Sequence, residues 1–408
     1  MNTYRYVIVG GGIAAGRAAD GIRKLDAEGR IALVCAEAHP PYQRPPLSKG
    51  YLTGSEGLDH VYLKEADAYA QDQVDLITGV AATALDRAAH QVTLADGQVL
   101  GYERLLLATG SQARRLPLPG GDLEGVWTLR TIEDAEGIRS AAQPGAPAVV
   151  LGGSFIGAEV AAALAQLGMA VTVVFPETRL LERIAPPALS AHLHALYAGR
   201  GVRVMPGNRP SRFEGQGHVA AVRLESGDRL EASLVVMGVG VQPNTALARS
   251  AALALDAQGA VLVDEFLCTS DPHIYAAGDI ASWPDATFGR RLRVEHWDVA
   301  RGQGLRAGRN MAGEGKPYTA LPYFFSDLFE LSFEVWGDLT AWDQTVLRGE
   351  IERGSFALFC FSAGRLTGVL AAGRPEAERK PLQALVRARA AYSDVAERLQ
   401  DESADLSA

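Results

Sequence analysis

VIVGGGIAAG at residues 7–16 and VVLGGSFIGAE at residues 149–159 are two copies of one pattern: an apolar strand, a glycine-rich turn and the small-residue start of a helix. Such a turn binds pyrophosphate because glycine lets the backbone close tightly and approach the anion, while free N–H groups at the helix N-terminus face it. Two of them, one domain apart, predict an α/β chain that binds two dinucleotides.

In the first copy, Gly10 and Gly12 hold the first two glycine positions and Ala15 the third, where the pattern admits alanine. Ala14, Ala18 and Ala19 let the helix lie close to a sheet. The second strand, IALVCAE at 31–37, ends in Glu37, placed to accept ribose hydroxyls. In the second copy, Gly152 and Gly157 frame the turn, Ser154 replaces the middle glycine, and Phe155 and Ile156 lie between. Its second strand, AVTVVFPE at 170–177, has no acid at Phe175 and reaches one only at Glu177. Glu177 is the candidate for the adenosine ribose. A carboxylate there repels a 2′-phosphate and favours NADH over NADPH, whereas Arg179 nearby pulls the other way because a guanidinium can hold that phosphate. Gly240, in GVGVQPN at 238–244, would let a nicotinamide ring approach closely.

The 408 residues suffice for two or three domains, and 48% hydrophobic content describes a globular chain. The start reads directly as strand, without a signal or transit pattern, and no apolar run approaches the ~20 residues that span a bilayer. A cytoplasmic protein without a membrane partner is expected. A net charge of −9 disfavours binding to nucleic acid, which needs a basic surface. Arg290, Arg291 and Arg293 form a local basic patch that could steer an acidic partner. Cys35, Cys268 and Cys360 are far apart and share no pairing or ligand spacing, so neither a disulfide framework nor a metal site is expected.

The strand YERLLLATG (102–110) leads to a proline-rich linker, LPLPGG (116–121). A second unit closes on SLVVMGVGVQPN (233–244), read as one strand. IYAAGDIAS (274–282) then repeats the strand, glycine and acid pattern, so the second dinucleotide domain is expected to be inserted in the first. PYFFSDLFELSFEVWGD (322–338) and SFALFCFSAG (355–364) read as antiparallel strands of a small α+β domain. From about residue 396 the chain is polar and acidic and is expected to fray.

Together PPYQRPPLSKGYL (40–52), ATGSQARRLPLPG (108–120), LRTIEDA (129–135), GGSFIGAE, GVGVQPN, YAAGDIA and RVEHWDVA (293–300) resemble the single-chain FAD- and NADH-dependent ferredoxin reductases of oxygenase and P450 systems. These are close in turn to apoptosis-inducing-factor-like flavoproteins. The resemblance runs from about residue 4 to beyond residue 337. It implies a glutathione-reductase-like fold of two Rossmann-like domains and a small α+β domain: FAD at 1–115 and 247–320, NAD at 116–246, and a C-terminal interface domain at 321–408. It further implies hydride transfer from NADH to FAD and release of single electrons to a ferredoxin-like iron–sulfur protein, by a monomer or homodimer. Two features depart from the pattern: FPETRLLERI (175–184) is closer to the factor-like branch, and Phe325 stands where many ferredoxin reductases have Trp.

Disulfide reductases of this fold carry CxxxxC beside the flavin, where this chain has PYQRPPLSK (41–49), so electrons should leave from the flavin without a thiol relay. The resemblance places Lys49 near flavin N5, paired with Glu159, to align nicotinamide and flavin. It gives Asp279 a ribityl hydroxyl, with a following helix aimed at the pyrophosphate, and lines the FAD groove with Arg44, Arg114 and Arg130, Arg115 being able to substitute for Arg114. Glu295, His296 and Trp297 open a predicted helix to Met311, whose dipole would favour negative charge on the flavin. Trp297 resembles the aromatic near the flavin ring. Two other readings stay open: an NADH dehydrogenase for a quinone or small organic acceptor, and a factor-like binding protein that responds to NADH.

Overall fold

The computed structural model describes residues 2–407, which divide into two compact units. Unit one comprises 1–44, 58–112 and 242–322; unit two comprises 45–57, 113–241 and 323–408.

Unit one is built on a seven-stranded sheet. At its centre the apolar strand Asn2–Val9 pairs in parallel with Ile31–Val34 on one side and with Val99–Leu107 on the other. Val9 stands opposite both Val34 and Leu107, so the three strands end level and the first glycine turn leaves from the middle of the sheet. The returning strand Ile274–Ala276 adds in parallel beside Val99–Leu107. Helices Ile13–Arg23 and Trp297–Met311 pack closely because small residues face each other: a Cβ on Gly304 would stand 2.2 Å from the Ala14 carbonyl oxygen.

Unit two repeats the parallel arrangement, in the order Arg203–Met205, Ala170–Val174, Pro147–Leu151, Leu234–Met237 and Val126–Thr128. A three-stranded antiparallel sheet, Pro210–Gln216, His218–Leu224 and Arg229–Glu231, shares a core with it through Val149, Val174, Val222 and Val235. The stretch read as one strand over 233–244 instead stops at Met237 and resumes at Val241–Pro243, because Gly240 takes φ +95° and turns the chain.

The chain's last third supplies a five-stranded antiparallel sheet in the order Tyr323–Leu328, Leu331–Gly337, Arg365–Ala372, Ser355–Ser362, Gln344–Glu350, followed by helices Glu376–Arg387 and Tyr392–Gln400. The end does not fray over its described residues. Leu399 and Leu406 are buried, and the buried guanidinium of Arg348 donates to the carbonyls of Asp401, Glu402 and Ala404 and to Glu378. A charge held in the interior needs acceptors, and the tail supplies them. Residue 408 lies outside the described residues.

Candidate functional site

The cradle in unit one follows from its glycine turn. Gly10 takes φ +146°, and a Cβ there would stand 2.1 Å from the Ala108 carbonyl oxygen, so only glycine fits. Gly12 is the N-cap of the helix Ile13–Arg23; no side chain among the described residues caps it, and no acid lies in its first turn. Ala15 is fully buried in that turn. The result is a set of N–H groups at a positive helix end, the arrangement that takes a pyrophosphate. Glu37 waits past strand Ile31–Val34, its carboxylate accepting from Tyr42 Oη and, at 2.8 Å, from Arg44 Nη2. Burial alone would lower the Arg44 pKa, but Tyr42, Glu37 and Asp279 outweigh it and raise it, so this guanidinium is a permanent cation.

Asp279 is buried in a 3-10 turn, Gly278–Ile280, that runs straight into strand Ala281–Asp285. The helix expected directly after it does not open there; strand pairing with Val261–Leu262 takes those residues instead, and the next helix starts at Trp297. Gln303, fully buried, accepts from Gly278 N–H at 2.9 Å, while its Nε2 has no hydrogen-bond partner among the described residues. An orphaned buried donor beside an open glycine turn fits a polar cofactor such as FAD. Sequence reasoning missed Gln303; its only signal was a polar residue on the buried face of the helix.

The helix Trp297–Met311 begins where expected, with His296 as N-cap. Glu295 is paired with Arg293, and Asp298 in the first turn is paired with Arg301, whose guanidinium lies 5.3 Å from the Trp297 ring centre. Arg291 donates to the carbonyls of Val263 and Ser282, and Arg293 also reaches the Asp279 carbonyl at 3.3 Å. Two of the three arginines of the basic patch thus serve the local backbone.

Unit two carries the second cradle. Gly152 takes φ +125° with a hypothetical Cβ 2.3 Å from the Gly238 carbonyl oxygen. Ser154 is the N-cap of helix Phe155–Gln166, again with no side-chain cap among the described residues and no first-turn acid. Gly157 is buried in that turn, and Ile156 is 42% exposed, an apolar side chain left at the mouth of the cradle. Phe175 is fully buried under the turn, so the strand end is filled by an aromatic ring; Glu177 follows, 34% exposed, its carbonyl held by Gly207 N–H. Arg114 donates from its backbone N–H to the Gly240 carbonyl at 2.9 Å and from Nε to the Val241 carbonyl at 3.0 Å. Arg115 is tied to the carbonyls of Gly121 and Val126, and the Arg130 backbone N–H donates to the Asp134 carboxylate at 2.8 Å.

The second helix also carries Glu159, 6% exposed, whose carboxylate accepts from Lys49 Nζ, Ser48 Oγ and Ser326 Oγ. Lys49 is set at the end of the stiff 3-10 turn Pro45–Ser48, 18% exposed, with Asp327 at 3.9 Å and the Phe325 ring centre at 5.7 Å. Ser48, Ser326 and Asp327 went unread in the sequence; the last two approach from a strand more than 160 residues away. All three cysteines are free, and burial pushes the Cys35 and Cys360 thiols up to about 12 and Cys268 to about 11, so each is a neutral thiol at physiological pH.

Residues 4–304 match the family described as pyridine nucleotide-disulphide oxidoreductase, and residues 323–408 match the reductase C-terminal family. The chain belongs to the pyridine nucleotide-disulphide oxidoreductase family. It is 38% identical to the ferredoxin–NAD(+) reductase component of the anthranilate 1,2-dioxygenase system of Burkholderia cepacia, over 88% of this chain and 88% of that one. It is 34% identical to monodehydroascorbate reductase 3 of Arabidopsis thaliana, over 95% of this chain and 93% of that one. A crystal structure of the covalent putidaredoxin reductase–putidaredoxin complex superposes with a TM-score of 0.92 at 35% identity, covering 99% of this chain and 97% of that one. The mixed α/β fold is therefore the glutathione-reductase-like fold of ferredoxin reductases that the resemblance implied. This family member is a flavoprotein reductase that works with FAD and NADH. No helix among the described residues is long and apolar enough to cross a membrane.

Proposed function

We propose that the chain is the reductase component of an oxygenase or P450 system, taking electrons from NADH and passing them singly to a ferredoxin-like iron–sulfur protein. The observation that carries this reading is the chemistry at Lys49: its ammonium pairs with Glu159 on the second cradle's helix, and the three thiols are scattered and protonated, Cys35 and Cys360 buried and Cys268 half-buried. When bound, FAD would accept one hydride, an electron pair, and release the electrons one at a time, which joins a two-electron donor to a one-electron acceptor. In unit one, Gly10, Gly12 and Ala15 hold the pyrophosphate, Glu37 the ribose hydroxyls and Asp279 a ribityl hydroxyl. Gln303 offers a further donor, and Arg44 balances the charge of Glu37. Glu295, His296 and Trp297 form the wall at the start of their helix.

In unit two, Gly152, Ser154, Phe155, Ile156 and Gly157 hold the NADH pyrophosphate, Glu177 the adenosine ribose, and Gly240 and Arg114 form the edge beyond. Lys49 and Glu159 align the reacting end of the nucleotide, Ser48 and Ser326 fixing the carboxylate so that the ammonium points one way. Arg130 supports the wall through the cap it shares with Asp134. The sheet pairings support FAD and NAD domains at 1–115 with 247–320 and at 116–246, and the antiparallel sheet supports a third domain at 321–408. A cytoplasmic monomer or homodimer is part of the same proposal.

The test is anaerobic. The yellow protein is bleached with one equivalent of NADH, then mixed with a [2Fe–2S] ferredoxin or a quinone, and the return of colour is timed. Rapid, saturable return with ferredoxin is expected; return with the quinone alone would overturn the reading. A second reading, an NADH-dependent reductase of a small organic radical, is supported by the monodehydroascorbate reductase relative and by Phe325 in place of Trp. It predicts turnover with ascorbate radical and none with ferredoxin.

A further inference from the structure

The loop behind Glu177 holds two carboxylates and two guanidiniums in seven residues: Glu177, Arg179, Glu182 and Arg183. A free guanidinium beside an adenosine ribose takes up a 2′-phosphate, so Arg179 alone would turn the site toward NADPH. In the structure Arg179 is engaged. Its Nη1 lies 3.4 Å from Glu182 Oε1, both side chains being less than a third exposed. Glu182 is itself held in place, accepting from Thr178 N–H at 2.8 Å and from Thr178 Oγ1 at 3.1 Å. Those donations, the backbone one foremost, keep its carboxyl below the usual glutamate range, so it is anionic at neutral pH. The Arg179 Nε is buried with no hydrogen-bond partner among the described residues, a donor with capacity to spare. Arg183, 87% exposed, lies 4.0 Å from Glu177.

We infer that Glu182 is a positioning residue that sets the choice of NADH over NADPH, by occupying Arg179 and by placing a second negative charge behind Glu177. The inference rests on the proposed NADH site at residues 152–177. A 2′-phosphate brought to this loop meets two carboxylates, each with its own cation beside it: Arg179 against Glu182 and Arg183 against Glu177. Glu182→Gln keeps an oxygen for the Thr178 N–H and removes the charge, which frees Arg179 to turn to the phosphate.

The experiment titrates oxidised holoenzyme with 2′,5′-ADP and with 5′-AMP by calorimetry, alongside kcat/KM for NADPH and NADH. In Glu182→Gln, 2′,5′-ADP should bind roughly fivefold tighter or more, the size expected for one partly exposed charge, with 5′-AMP little changed. The double variant Arg179→Gln/Glu182→Gln should lose that gain. An unchanged ratio of the two affinities in Glu182→Gln, or a gain that survives in the double variant, overturns the inference. Glu177→Gln separates the two levels. If it changes nucleotide affinity while Glu182→Gln does not, only this inference falls; if neither variant changes either affinity, the NADH-site reading falls with it.

Discussion

The two glycine turns share a backbone and differ in what surrounds them. Each leaves a central strand flanked by parallel neighbours through a positive-φ glycine and opens a helix whose end carries no side-chain cap among the described residues and no acid. Past the first turn, the acid Glu37 is clamped by Tyr42 and Arg44, and a buried glutamine offers a spare donor. Past the second, Phe175 fills the strand end, and the cation beside Glu177 is the exposed Arg183 at 4.0 Å. On the proposed reading, the first site keeps its ligand and the second exchanges one. That asymmetry suits a resident cofactor and a diffusing substrate, because affinity follows how many polar groups are fixed before binding.

The sharpest test puts the same substitution in both turns. Valine at Gly10 or Gly152 adds a Cβ 2.1 or 2.3 Å from a carbonyl oxygen in a backbone that β-branched residues avoid, at a cost of about 3 kcal/mol or more. Gly10→Val is expected to purify without yellow colour. Gly152→Val should stay yellow while its NAD+ affinity falls by about a hundredfold, the equivalent of that energy. Visible absorbance per chain and NAD+ titration measure both; a colourless Gly152→Val would erase the distinction.

Next in size is the pair on the second helix. Lys49→Met strands the buried carboxylate of Glu159, costing about 3–5 kcal/mol of stability, and Glu159→Gln costs less because Asp327 remains beside the ammonium. The double variant should regain most of that stability but not the rate of bleaching by NADH, which falls at least about tenfold in all three. Denaturant unfolding and stopped-flow absorbance separate the two effects, and recovery of the rate in the double variant would remove the alignment role.

A smaller effect is expected from the tail. Deleting residues 401–408 takes three carbonyls from Arg348, at about 3 kcal/mol of unit-two stability, and should leave FAD bound, since the residues of the first cradle belong to unit one. Loss of colour on deletion would contradict the assignment of FAD to the unit-one cradle.

The smallest effect at neutral pH concerns the thiol beneath the first turn. Cys35 has its pKa raised from 9.0 to about 12 by burial, then by Glu37. A raised acid contributes stability that is intact below the unfolded value and is lost as pH climbs from about 9 to about 12. Iodoacetamide at pH 7 should therefore leave turnover unchanged, while unfolding free energy measured against pH declines only above about 9. Inactivation at pH 7 would put a reactive thiol back into the mechanism.

Both cradles, both strand-two acids and the helix from Trp297 were legible because each is local: residue types a few positions apart dictate turn, cap and period. The 3-10 turn at Asp279 was not, since strand pairing overrides a pattern that elsewhere opens a helix. Nor was the ordered tail, whose composition reads as solvent-exposed until a buried arginine claims its carbonyls. The sequence by itself determined the two glycine turns with their helix starts and the wide spacing of the three cysteines. Only tertiary structure decided the company of each charge: Glu159 among Lys49, Ser48 and Ser326, Arg179 with Glu182, Arg291 on backbone carbonyls. The reason is physical: a turn is selected by torsions the chain carries with it, whereas a buried charge takes whichever partners the finished packing brings within hydrogen-bond reach.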